Sequence, residues 1–138
     1  MRLVVDTNLI VSGLIWGGTP FQLLTRIECG QDILFVSRDM LLELQNVLNY
    51  PKIASVLARR HVSWDDLVRW AIEKSTLIVP KPLPNTVISE DPSDDKFLAC
   101  AKACCADFLV SGDRHLLKLR VWERIPIVSA SDYIKFKI

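Results

Sequence analysis

Four acidic side chains have types and positions that suit a divalent-metal site: Asp6 in LVVDTN, Glu43 in MLLELQNVL, Asp95 in DPSDDKFLACA and Asp113 in FLVSGD. Asp6 and Asp113 each follow a short apolar run, Leu3 to Val5 and Phe108 to Val110. Strands of one parallel sheet would bring both carboxylates to the same edge. Ligands of open α/β folds bind in crevices at that edge. Glu43 and Asp95 fall instead on predicted helices beside apolar faces, marked by Leu41, Leu44 and Val47 in one and by Leu98, Ala101 and Cys105 in the other. Two carboxylates about 5 Å apart repel by roughly 3 kcal/mol at an effective dielectric near 20, so a cluster needs a proton or a cation. Oxygen donors without a Cys and His pattern favour Mg²⁺ or Mn²⁺ over zinc. Such ions keep waters and accept phosphate oxygens, which points to phosphodiester chemistry.

The elements that must hold these acids alternate along the chain. Strands are predicted at Arg2 to Asp6, Ile33 to Val36, Thr76 to Val79, Asp107 to Ser111 and Ile125 to Val128. Helices are predicted at Thr7 to Leu14, from a Thr19 cap with Pro20 first to about Cys29, from Ser37 or Asp39 to before Pro51, at Lys52 to Arg60, and at Trp64 to Ser75 behind a Ser63 cap. The Lys52 and Trp64 segments are expected to pair as a hairpin. Beyond the irregular segment PKPLPNTVISEDP, a helix starts at Ser93 or Asp94 and runs to Cys105, a short one covers Arg114 to Leu119, and a turn closes at Ser131 to Ile134. Strands alternating with helices predict a parallel sheet covered on both faces.

Composition narrows the function classes. The chain has 138 residues, half of them hydrophobic, which fits a single domain over 1–138. A net charge of +1 gives no overall basic field, so nucleic-acid binding must rest on local patches or on metal-mediated phosphate contacts. Cys29, Cys100, Cys104 and Cys105 lack paired metal-ligand spacing and read as small core residues. No leader pattern or bilayer-length apolar stretch is evident, so the expected location is a reducing cytoplasm, with no membrane contact.

With the acids placed, the chain resembles the PIN-domain ribonucleases, most closely the small stand-alone, toxin-like (VapC-like) members of toxin–antitoxin pairs. The matching segments are VVDTNLIVSGL, SRDMLLELQNVLNYPKI, DPSDDKFLACAKACCADFLVSGD and IPIVSASDYI, in that order. Carried across residue by residue, the family's acids are Asp6, Glu43, Asp95 and Asp113. Its small polar positions are Thr7, Asn8 and Ser111, the last standing where threonine is more common. The resemblance implies a PIN-like three-layer α/β/α sandwich with a five-stranded parallel sheet, divalent-metal-dependent cleavage of RNA, a homodimer, and an antitoxin protein as partner.

Each residue also has a plainer reading. Asp6 could be a helix cap, Glu43 a salt-bridge partner, Asp95 a first-turn acid complementing the helix dipole, and Asp113 a turn residue. Asp91 and Asp94 compete with Asp95; the apolar stripe begins in phase with Asp95, and Asp94 remains an alternative. Lys96, Arg114 and Lys118 are candidate phosphate contacts or solvated helix residues. His61 and His115, beside arginines, read as solvated or RNA-facing rather than as bases. Trp16 could stack on a base or pack against protein. A phosphoacceptor receiver is disfavoured because VVDTN holds a single acid and IPIVSAS offers no lysine. The remaining rival is a catalytically silent PIN-fold binding module for RNA or a protein partner.

Overall fold

The strands Arg2–Val5, Ile33–Val36, Phe108–Val110 and Ile125–Val128 are short apolar runs that end at polar turn residues, and each feeds a helix whose first turn a side chain caps. The computed structural model of the chain describes residues 1–137. In order these hold β1 (Arg2–Val5), α1 (Thr7–Ile15), α2 (Gly18–Glu28), β2 (Ile33–Val36), α3 (Arg38–Leu48), α4 (Pro51–Arg59), α5 (Trp64–Glu73) and β3 (Ser75–Leu77). A 3₁₀ turn at Pro92–Asp94 then leads into α6 (Asp95–Cys104), β4 (Phe108–Val110), α7 (Arg114–Leu117), β5 (Val121–Trp122), β6 (Ile125–Val128) and α8 (Ala130–Lys137).

The sheet order is β3-β2-β1-β4-β6-β5. The five predicted strands form its parallel part, and the two-residue β5 adds an antiparallel edge to β6, a hairpin too short to carry a periodic signal. From β1 the chain winds outward through β2 and β3, then returns to the opposite side of β1 for β4. That reversal makes a topological switch point, and its crevice opens at the carboxyl ends of β1 and β4. Val5 pairs with Val110 there, so Asp6 and Ser111 leave the sheet side by side.

Helices cover the sheet to give an α/β/α sandwich. α6 packs on β1, β2 and β4, while α1 packs on α2 and α3, and α2 on α8. Leu3, Val4, Val5, Leu109 and Val110 are fully buried, together with Leu98 and Ala101 of α6. Each such Val or Leu side chain removed from water contributes about 1.5–3 kcal/mol, which helps to fix the strand ends relative to α6. None of the described helices is long and apolar enough to cross a membrane.

Several local expectations shift. Thr19 lies inside α2 and caps nothing; Gly17 and Gly18, at φ 84° and 72°, turn the chain into that helix. Pro51 itself opens α4. α4 and α5 pack chiefly on α3 rather than as a hairpin, because their apolar faces are covered by that longer helix. The closing turn is the full helix α8, held by Tyr133, whose hydroxyl donates to buried Asp32 at 2.8 Å.

Candidate active site at the β1–β4 switch point

Asp6 ends β1 and caps α1, and the buried strand beneath it leaves its carboxylate little freedom. One oxygen accepts from the Leu9 amide at 2.8 Å; the other accepts from the Gly112 amide at 3.1 Å and from the Ser111 hydroxyl. The Ser111 hydroxyl oxygen in turn accepts from the Asp113 amide at 2.9 Å. Asp113 caps α7 through the His115 amide at 2.8 Å. Two segments 105 residues apart in sequence are thus tied by one serine. Thr7 is buried behind this junction, while Asn8 is exposed. Asp6, Asn8, Leu9, Ser12, Gly112 and Asp113 line a cleft of about 320 Å³.

The electrostatics of the rim are those of crowded carboxylates. Burial pushes the Asp6 carboxyl above its usual range against the three hydrogen bonds that favour its ionised form, and the charge of Asp113 adds to the rise. Asp94, buried at the start of α6, is pushed up to about 7 by desolvation and by Asp113. Asp113 is held low, first by Asp94 as donor and then by the His115 amide. Deprotonated, Asp94 has an oxygen that is buried without a donor. A proton on Asp94 would supply a donor toward Asp113. A cation between them would replace that proton.

The other sequence-predicted acids are engaged elsewhere. Asp95 accepts from the Val87 and Ile88 amides at 3.0 and 2.8 Å, anchoring the 80–91 loop through buried Ile88. Glu43 is ion-paired with Lys96, and the Lys96 charge also favours ionised Asp94. Lys118 is paired with Glu90 at 2.8 Å, and Asp91 accepts from the Ser93 amide at 3.2 Å. Arg114 is exposed beside Asp113 and makes no ion pair among the described residues. The structure therefore brings Asp6, Asp94, Asp113 and Ser111 to one rim, with Glu43 linked to it through Lys96 and Asp95 turned to the loop. The Gly112 amide was not singled out from sequence; its only signal is the SGD turn after β4.

Among the described residues no three His, Cys, Asp or Glu side chains gather closely enough to hold one ion by themselves. Mg²⁺ does not require that, since it keeps several waters and is held through one or two carboxylates. An all-oxygen set with a buried, donorless Asp94 oxygen beside Asp113 fits such an ion.

A family model described as PIN domain matches residues 2–115. No curated protein and no solved structure matches the chain.

Proposed function

This chain belongs to the PIN-domain family, and on that premise we propose that it is a divalent-metal-dependent endoribonuclease acting at the β1–β4 rim. PIN domains are commonly nucleases, and those nucleases typically use divalent metals. The observation that carries the reading is the buried Asp94 oxygen without a donor, on a carboxylate whose ionisation is opposed by Asp113, at the switch point that also holds Asp6.

Asp94 and Asp113 are the pair assigned to hold the ion, with Asp6 at the same rim to orient its waters and Glu43 set apart in its ion pair with Lys96. Asp94 takes this role in preference to Asp95, whose two oxygens are occupied by backbone amides. Bound Mg²⁺ or Mn²⁺ supplies an acidified water and neutralises charge on the phosphate. The protein's own part is orientation. Ser111 and the Leu9 and Gly112 amides fix the direction of Asp6, and the Asp113 amide fixes Ser111. Arg114 is placed to meet a phosphate, and Lys96 orients Glu43 through their ion pair. A water nucleophile makes the ribose 2′-hydroxyl unnecessary, so the preference for RNA rests on the family resemblance.

Incubation of structured RNA with Mg²⁺ or Mn²⁺ tests the proposal. Cutting should stop with EDTA and fall more than about a hundredfold in Asp6→Asn with unchanged circular dichroism. Near-normal rates in that variant would overturn it. The engagement of Glu43 and Asp95 favours a second reading, a catalytically silent binding module, for which RNA is bound but never cut.

The chain acts as one domain over 1–138, as a cytoplasmic homodimer and the toxin of a toxin–antitoxin pair. The antitoxin segment covers the acidic rim or docks on the helices between Thr19 and Arg60. Pull-down from native cells tests the pairing, and a partner that leaves the rim open counts against it.

A further inference from the structure

Helix α1 starts at the acidic rim and ends, two and a half turns later, at an indole flanked by arginines. Asn8 and Ser12 line the Asp6 cleft, and Trp16 follows at the same four-residue spacing, so the three lie along one side of the helix. Trp16 is 54 % exposed. The Arg60 guanidinium lies 4.9 Å from the centre of its ring and also donates to the Ile15 carbonyl at the end of α1. With Arg59 and Val56 these residues line a second cleft of about 300 Å³. Among the described residues neither Arg59 nor Arg60 has a carboxylate partner.

We propose that this side of α1 is a track for single-stranded RNA, leading from the acidic rim to a base-stacking platform made by Trp16, Arg59 and Arg60. The inference rests on the nuclease reading for its direction, since the strand is taken to enter at Asp6. Ten residues of helical rise place the platform about 15 Å from that acid, a reach of a few nucleotides. Two uncompensated guanidiniums answer the phosphates, and an indole with a cation over its ring offers a flat surface that any base can stack on. The Arg60 contact with Ile15 holds the platform before RNA arrives, so less side-chain entropy is lost on binding. The near-neutral chain as a whole supplies no such field, which makes the local pair of arginines matter.

Binding of a fluorescein-labelled oligouridine to the full-length chain, measured by anisotropy in EDTA, tests the platform without cutting. Trp16→Ala should weaken binding roughly 5- to 100-fold, and Trp16→Phe should recover most of it. Arg59→Ala should flatten the dependence of log Kd on log salt by about 0.7. A blunt RNA duplex, whose bases are already stacked, should be indifferent to Trp16→Ala. Oligouridine binding in Trp16→Ala within about twofold of wild type would overturn the platform, as would the absence of measurable binding by the wild-type chain. So would normal RNA binding by Trp16→Ala combined with loss of a co-purifying protein, which would give the patch to that protein. Wild-type protein that binds in a Trp16-dependent way yet never cuts with Mg²⁺ or Mn²⁺ would remove the nuclease reading and leave the platform standing.

Discussion

Asp94 and Asp95 are consecutive in sequence and opposite in bonding. Asp95 accepts from the Val87 and Ile88 amides through both oxygens, while Asp94 is buried beside Asp113 with one oxygen lacking any donor. One carboxylate organises the loop over the sheet; the other is left needing a proton or a cation.

Replacement of the two should therefore separate stability from chemistry. Asp94→Asn is expected to cut metal-dependent RNA cleavage more than about a hundredfold while leaving folding intact. Asp95→Asn loses one of two amide contacts and should cost about 1–3 kcal/mol in urea denaturation. The assignment fails if Asp95→Asn abolishes cutting at full stability while Asp94→Asn cuts normally.

The acidic rim should also write a pH signature on the metal-free protein. The Asp94 carboxyl rises from 3.8 to about 7 on folding, chiefly by desolvation. Because the folded value is the higher one, its stabilising contribution is fully present below the unfolded value and disappears as pH climbs through the folded one. In EDTA, Asp94→Asn should gain Tm relative to wild type on going from about pH 5 to about pH 8, by on the order of 5 °C. The converse trend would mean that Asp94 is ionised and well paired in the folded chain. Added Mg²⁺ should restore wild-type stability at the higher pH, since the ion favours the deprotonated form.

Ser111 joins the two sheet-edge segments, donating to Asp6 and accepting from the Asp113 amide. Ser111→Ala should lower metal affinity or turnover about 10- to 100-fold by releasing the Asp6 carboxylate, and Ser111→Thr should keep both near wild type. Equal losses in the two variants would point to crowding rather than to the missing hydroxyl.

Far from the rim, Tyr133 gives a control for stability alone. It is fully buried, and its hydroxyl donates to Asp32, which also accepts from Arg26 at 2.8 Å. Tyr133→Phe should cost about 1–2 kcal/mol in chemical denaturation. A loss well above that range would mean that Asp32 depends on Tyr133 for more than one hydrogen bond.

Much of this molecule is legible along the chain because the signals are local. Apolar runs of three or four residues set four of the five parallel strands, the fifth being Ser75–Leu77, and Ser37 and Ser63 cap α3 and α5 as expected, accepting from Met40 and Asp66 amides. Asp6 directly after one strand and Asp113 three positions past another needed only the rule that parallel strands end on one edge. The misses share a cause as well: β5 is two residues long and Thr19 gave way to paired glycines of positive φ, both settled by how the chain closes on itself.

By itself, then, the amino-acid order determined an alternating α/β chain with Asp6 and Asp113 at a common sheet edge, because side-chain periodicity and turn chemistry act over a few residues. It could not rank Asp94 against Asp95, since helix phase differs by only one position at the first turn. Tertiary structure gives the two different bonding, by bringing the Val87 and Ile88 amides to one carboxylate and Asp113 to the other, and the proposed role of Asp94 follows from that difference. The same long-range packing set Lys96 on Glu43 across 53 residues and Arg60 on Trp16 across the α1–α4 gap. Such contacts depend on where whole elements come to rest, and no local spacing encodes that.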